Sequence, residues 1–150
     1  MKSPTSLPKV GVGIIVIKNG SHVLMHRRKG SLGGGFWGTG GGHLELGESL
    51  LEAALREFHE EAGSSIVISQ PRFLAVCNFT DFYPKHYVDV SFVADWISGE
   101  PDDSGLDEVE LWQWFPLNKL PGPVFPVVSH YLEAIKSGQN FFDSTLNKNT

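Results

Sequence analysis

A chain of 150 residues with 41% hydrophobic content can bury a substantial core and reads as one domain, ordered from about residue 8 to about residue 142. A formal net charge of −5 argues against binding along a nucleic-acid polymer, and the single Cys77 excludes an intramolecular disulfide and fits a reducing cytoplasm. Met1-Lys2-Ser3 opens no secretory pattern, and the apolar run Val10–Ile17 is too short to cross a membrane.

Val10–Ile17 reads as a buried strand, Asn19-Gly20 as a tight turn and His22–Arg27 as the antiparallel partner. A glycine-rich segment, Ser31–Gly42, follows with Phe36 and Trp37 embedded in it. Its Gly40-Gly41-Gly42, with Gly47 beyond, allow a tight loop whose backbone approaches a ligand closely. Ser49 and Glu52 make the S-x-x-E pattern of a capping box, so a helix begins at Ser49. Leu51, Ala54, Leu55, Phe58 and Ala62 recur at helical spacing as its buried stripe, and Gly63 is placed to end it in a left-handed conformation. Ile66–Ile68, Arg72–Asn78 and Tyr87–Trp96 read as strands, the last alternating Val88, Val90 and Phe92 against the opposite face. An acidic loop, Gly99–Glu110, leads into the strand Leu111–Phe115. Pro126 is expected as the first residue of a last helix, with Val128, Tyr131, Leu132 and Ile135 as its apolar face and Gly138 as its stop. The tail from Phe141 to Thr150 is polar and expected to fray at its end. No repeat or low-complexity segment interrupts this order.

The helix after Ser49 carries an unusual charge pattern. Glu57, Glu60 and Glu61 stand at i, i+3 and i+4, so their side chains fall within roughly 100° of one another around the axis. Like charges that close repel unless a cation relieves them. Carboxylate oxygens suit a hard divalent ion, Mg2+ or Mn2+. A solvated acidic face is the alternative that the triplet alone leaves open.

Gly42, Glu48, Arg56, Glu57, Phe58, Glu60, Glu61 and Gly63 fit the pattern G-x5-E-x7-R-E-U-x-E-E-x-G-U, with U a bulky apolar residue. This stretch resembles the Nudix box, the signature of the Nudix (MutT-like) hydrolase family. The last position departs from the pattern: it is Ser64, with Ile66 two residues on as substitute cover. GGHLELGES, HYVDVSF and WQWF further resemble the compact nucleoside triphosphate pyrophosphatases of that family. The resemblance implies an α/β (α+β) fold, an α/β/α sandwich with a mixed β-sheet, and hydrolysis of a nucleoside diphosphate linked to another moiety.

By the same resemblance, Glu57 and Glu61 are the best metal ligands, with Glu60 sharing that role or orienting water and the Gly42 carbonyl adding an oxygen. Arg56 stays protonated, cannot serve as a base, and is expected to hold a box carboxylate in place. Glu48 is a structural partner, an outer acceptor or a base. Asp107, Glu108 and Glu110 offer a base from outside the box, Glu110 foremost, against the alternative of a solvated loop. Arg27, Arg28 and Lys29 can meet phosphate charge or simply end a strand in water. Trp37, Phe36, Phe79, Phe82 and Tyr83 can stack on a base or pack in the core. His43, His86 and His130 read as structural.

Two departures bear on the substrate. Thr39-Gly40 stands where similar proteins carry Leu-Pro, which frees the loop backbone. The resemblance implies substrate contact at Thr39 and Gly41, with an apolar residue replaced by Thr39 where relatives meet the base. Phe79 occupies the place of a proline that marks many ADP-ribose members. The leading expectation is Mg2+-dependent cleavage of nucleoside triphosphates, including modified purine forms, to nucleoside monophosphate and pyrophosphate. The alternatives are an ADP-ribose or other nucleoside-diphosphate-X pyrophosphatase, and a sensor that binds nucleotide without turnover. Retention of all four box glutamates speaks against the sensor. Trp96, Trp112 and Trp114 leave room for a homodimer interface or belong to the core.

Overall fold

Ten residues, Lys9–Lys18, form strand β1, whose two faces are both covered. Val12, Ile14 and Val16 point to one side and Ile15 and Ile17 to the other, which explains an apolar run without polar alternation. The computed structural model describes residues 7–30, 33–102 and 109–144. Within them the remaining strands are β2 (His22–Arg28), β3 (Trp37–Gly38), β4 (Gly40–His43), β5 (Val67–Ile68), β6 (Arg72–Phe79), β7 (Tyr87–Ser98), β8 (Val109–Pro116) and β9 (Phe141–Asp143). The helices are α1 (Leu50–Ala62) and α2 (Pro126–Ser137).

The sheet runs β3-β2-β1-β7-β6-β9, with β4 paired to β1, β5 to β7 and β8 to β2. β1–β7 and β6–β9 are parallel and the other pairings antiparallel, so the sheet is mixed. Asn19 and Gly20 take φ of 54° and 69°, the two positive values a tight hairpin between β1 and β2 requires. Helix α1 covers one face, where Ala53, Ala54, Phe58 and Ala62 meet Val12, Ile14 and Leu24. Helix α2 covers the other, where Val128, Tyr131 and Ala134 meet Ile15, Met25 and Cys77.

Both helices start where expected. Ser49 caps α1, its hydroxyl taking the Glu52 amide while the Glu52 carboxylate takes the Ser49 amide. Pro126 opens α2, and Gly138 closes it in the left-handed region at φ 81°, ψ −1°. Gly63 differs from expectation: φ is 79° but ψ is −173°, so the chain leaves α1 extended. The buried line of α1 also differs. It is Ala53, Ala54, Phe58, Glu61 and Ala62, with Leu51 and Leu55 half-buried, because Glu61 turns inward toward β2 and β4.

Two segments gain structure that their composition hid. The glycine-rich segment carries β3 and β4, and β4 pairs with β1 through Gly42↔Val12 and Gly41↔Gly13. At the chain's other end Phe141–Asp143 is strand β9, laid parallel to β6 with Phe142 buried beside His130. Residues 145–150 of the expected frayed tail lie outside the described residues. Trp96 and Trp114 are used within the chain, flanking the Lys18 ammonium at 4.1 and 5.0 Å.

Candidate active site

The glycines of β4 bring the backbone against α1. A Cβ at Gly42 would lie inside the Glu57 carboxylate, and one at Gly41 would stand 2.5 Å from the Val12 carbonyl oxygen. Only glycine lets this strand pass between β1 and the acidic face. Its backbone then reaches one of the acidic side chains directly: the Gly41 amide donates to Glu61 Oε1 at 2.7 Å.

Arg56 organises the rest of the acidic face. Its Nε and Nη2 donate to the two Glu48 oxygens at 2.7 and 2.8 Å, Nη1 to Glu57 at 2.8 Å, and Nη2 to the His43 carbonyl at 3.0 Å. Glu60 stands at the edge of this fork, 3.4 Å from Nη1. The guanidinium holds the Glu48 carboxyl down at about 2, assisted by the Glu45 amide, which makes Glu48 a poor base in this geometry. In return Glu48 and Glu57 tighten the guanidinium's hold on its proton.

Glu61 is the buried member of the triplet, 8% exposed. Behind it sits His26, also buried, with Nε2 3.1 Å from the Thr39 carbonyl oxygen and 3.9 Å from Glu61 Oε2. Burial pushes the imidazole down to about 4, so it is neutral near pH 7. Trp112 closes this side, donating its indole N–H to the Glu61 main-chain oxygen at 3.2 Å.

A cavity of about 650 Å³ runs from these carboxylates to the α2 side of the sheet. Glu57, Glu60, Glu61 and Gly40–Gly42 line it on the α1 side, and Phe79, Tyr87 and Phe125 form an aromatic wall on the α2 side, with Arg28, Lys29 and Lys85 also in the lining. The Arg28 guanidinium carbon stands over Phe125, 4.0 Å from the ring centre. Asp89 stands against Gly11 within the cavity, its carboxyl raised to about 6 by burial while Tyr131 and Arg28 pull the other way.

Of the residues singled out from the sequence, the cavity gathers Arg28, Lys29, Thr39, Gly41, Gly42, Glu57, Glu60, Glu61 and Phe79. It does not gather Glu48 and Arg56, which pair with each other beside it, nor Arg27 and Glu110. Strand alternation turns Arg27 away from Arg28, and its Nε and Nη2 both donate to Glu110 Oε1, at 3.0 and 2.8 Å. Glu110 therefore neutralises a neighbour on β2 instead of facing the carboxylates. Phe36 and Phe82 pack with Phe125 in the core, and Trp37 packs on Phe115. Asp107 and Glu108 lie outside the described residues. His26, Tyr87, Asp89 and Phe125 went unnoticed in the sequence as site residues. Asp89 had a local signal, a carboxylate between two valines of an apolar strand, whereas the others had none.

Among the described residues no three acidic, histidine or cysteine side chains converge for coordination. The reason is visible: Arg56 draws Glu48 and Glu57 toward itself and Gly41 holds Glu61. The donor set still fits a hard divalent cation. It is oxygen throughout, three carboxylates share one helix face, and the Glu57 carboxylate fills the space that a Cβ at Gly42 would take.

Comparison with known proteins agrees with this geometry. The family model of the NUDIX domain matches residues 7–135. An oxidized purine nucleoside triphosphate hydrolase of Danio rerio is 33% identical over 109 residues, 72% of this chain and 66% of that protein. An ADP-ribose pyrophosphatase of Methanocaldococcus jannaschii is 32% identical over 119 residues, 79% of this chain and 68% of that one. The crystal structure of a MutT NUDIX hydrolase from Burkholderia pseudomallei superposes with a TM-score of 0.78 at 32% identity, covering 86% of this chain and 98% of that one.

Proposed function

We propose, from the premise that this chain belongs to the Nudix hydrolase family, that it cleaves nucleoside triphosphates, modified purine forms among them, to nucleoside monophosphate and pyrophosphate. It is a Nudix pyrophosphohydrolase, an enzyme of phosphoanhydride bonds, and enzymes of this family generally work with a divalent metal ion. The observation that carries the substrate reading is the bipolar cavity. Carboxylates and a glycine backbone at one end suit a cation-bridged diphosphate, and an aromatic wall at the other suits a flat base. The Danio rerio relative supports the same reading.

Glu57, Glu60 and Glu61, with the Gly42 carbonyl, would hold Mg2+, or Mn2+ in its place. The bound ion supplies charge neutralisation at the phosphate oxygens and lowers the pKa of a coordinated water. Arg56 keeps Glu57 aimed, with Glu48 as its counter-anchor. Glu60, the most exposed carboxylate of the triplet and held by Arg56 only at 3.4 Å, is the candidate acceptor of the attacking water's proton. Arg28 and Lys29 meet phosphate charge, and Thr39, Gly41 and Phe79 border the nucleoside.

The Methanocaldococcus jannaschii relative favours a second reading, ADP-ribose as substrate. One assay separates the two: pyrophosphate and phosphate release with Mg2+ over dNTPs, oxidised dGTP, ADP-ribose and nucleotide sugars, with Glu61→Gln alongside. Pyrophosphate released from a triphosphate, falling by about 100-fold or more in Glu61→Gln, is the expected result. Turnover confined to ADP-ribose or sugar nucleotides overturns the first reading, and tight binding without turnover overturns both.

A further inference from the structure

Glu61 is held from three directions, and His26 takes part in each. His26 follows the buried apolar run Val23, Leu24 and Met25 on β2 and is itself 1% exposed. Its Nε2 meets the Thr39 carbonyl oxygen, which can only accept, so Nε2 carries the hydrogen. That choice of tautomer leaves Nδ1 as a buried acceptor with no hydrogen-bond partner among the described residues. A leucine here would bury no polar atom and avoid that desolvation penalty.

The first hold passes along the chain. Thr39, fixed by His26, is two residues from Gly41, whose amide donates to Glu61 Oε1. The second is steric, not bonded: Glu61 Oε2 lies 3.9 Å from His26 Nε2, beyond hydrogen-bond distance and with the imidazole neutral, so the ring bounds the carboxylate by contact. The third comes from β8. Its pairing with β2 steps from Met25↔Gln113 to Arg27↔Glu110, three residues against two, so β8 carries an extra residue there. Leu111 in this bulge takes φ 56°, a left-handed conformation unfavourable for leucine. The bulge sets the Trp112 ring edge-on to His26, centroids 4.6 Å apart, with the indole N–H on the Glu61 main-chain oxygen. Two locally unfavourable features, an orphaned ring nitrogen and a left-handed leucine, thus converge on one carboxylate.

We propose that His26, backed by Trp112, is a positioning residue for Glu61: it holds the Thr39 carbonyl and faces Glu61 Oε2, fixing the carboxylate in the orientation that takes the divalent ion. The inference rests on the assignment of Glu61 as a cation ligand made above.

Calorimetric titration of the full chain with MnCl2, together with melting in EDTA, tests it on His26→Leu, His26→Gln and Glu61→Gln. His26→Leu should melt at the same temperature or higher without metal, yet bind Mn2+ about tenfold more weakly or worse. His26→Gln extends an N–H to about where Nε2 stands and should remain within about threefold of the unaltered chain. Unchanged Mn2+ affinity in His26→Leu overturns the proposal, because a residue that merely packs would shift melting alone. Should His26→Leu not fold, His26→Asn decides: too short to reach Thr39, it should lose affinity that His26→Gln keeps, and equal affinities overturn the proposal. Glu61→Gln separates the two layers of the argument. If it leaves Mn2+ affinity intact, the ligand assignment falls and the inference with it. If it abolishes binding while His26→Leu does not weaken it, the positioning role alone falls. No Mn2+ binding by the unaltered chain overturns both.

Discussion

A single guanidinium decides how the acidic face is arranged. Arg56 forks across Glu48, reaches Glu57 and pins the His43 carbonyl, work that needs a planar group with several donors at fixed angles. Arg56→Lys keeps the charge and loses the fork, so turnover should fall by about 10- to 100-fold while melting changes little; an activity within twofold of the unaltered chain would contradict the role. Asp89 gives a second residue-level prediction, one that depends on pH. Burial raises its carboxyl to about 6, and among the described residues Arg28, Tyr131 and Cys77 interact with it. The folded state therefore binds this proton more tightly than the unfolded chain, whose carboxyl titrates near the ordinary value. Stability from this group is complete below about pH 4 and is lost as pH rises through about 6. Asp89→Asn removes the titration. It should melt higher than the unaltered chain at pH 8, by an amount of the order of 3 kcal/mol in unfolding free energy, and the advantage should vanish near pH 4. A constant difference across that range would refute the assignment.

At the scale of elements, α1 and β8 stand at opposite ends of legibility. Everything that builds α1 is local: a Ser-x-x-Glu cap, an apolar stripe and a glycine exit, all within one run of sequence. Its start was readable to the residue. Its inner face was read one step off, because Glu61 is drawn inward by the Gly41 amide of β4 and lies against His26 of β2, neither of which a helical period announces. Ser49→Ala removes the cap and should cost about 1 kcal/mol, visible as a lower melting temperature. The bulge in β8 depends on pairing with a strand some eighty positions earlier, so composition gave no sign of it. Leu111 is half exposed and held at φ 56°, so side-chain packing contributes little and backbone conformation dominates. Leu111→Gly should leave stability unchanged or raise it slightly, whereas Leu111→Val should lower it by about 1–2 kcal/mol. If valine is tolerated as well as glycine, the bulge is not strained. Strand β9 escaped notice for a similar reason: three residues gain a strand only because β6 offers them an edge.

Across the whole molecule the site belongs to neither helical layer alone. The α1 side supplies the carboxylates, the α2 side supplies Phe125 and Tyr131, and β1 with its glycines lies between them as a floor. The sequence displayed the first half because the box is contiguous. It showed the second only in part: Arg28 and Phe79 could be singled out as candidates, but Asp89 and Phe125 could not, because the four come from separate segments and meet only through the folded sheet. A substrate spanning both ends must therefore bind in cooperation with the cation, since the phosphates it presents to the carboxylates are otherwise repelled by them. Mn2+ alone, with little to neutralise beyond the glutamates already engaged by Arg56 and Gly41, should raise the melting temperature only slightly. A non-hydrolysable triphosphate alone should do little, because its charge meets Glu57, Glu60 and Glu61. Together, at about 100 times the joint dissociation constant, they should add about 2.7 kcal/mol, roughly 5–10 °C for a chain of this size. Shifts that merely add would mean that nucleotide and cation occupy independent sites, and the bipolar cavity would then not be where a cation-bridged diphosphate sits.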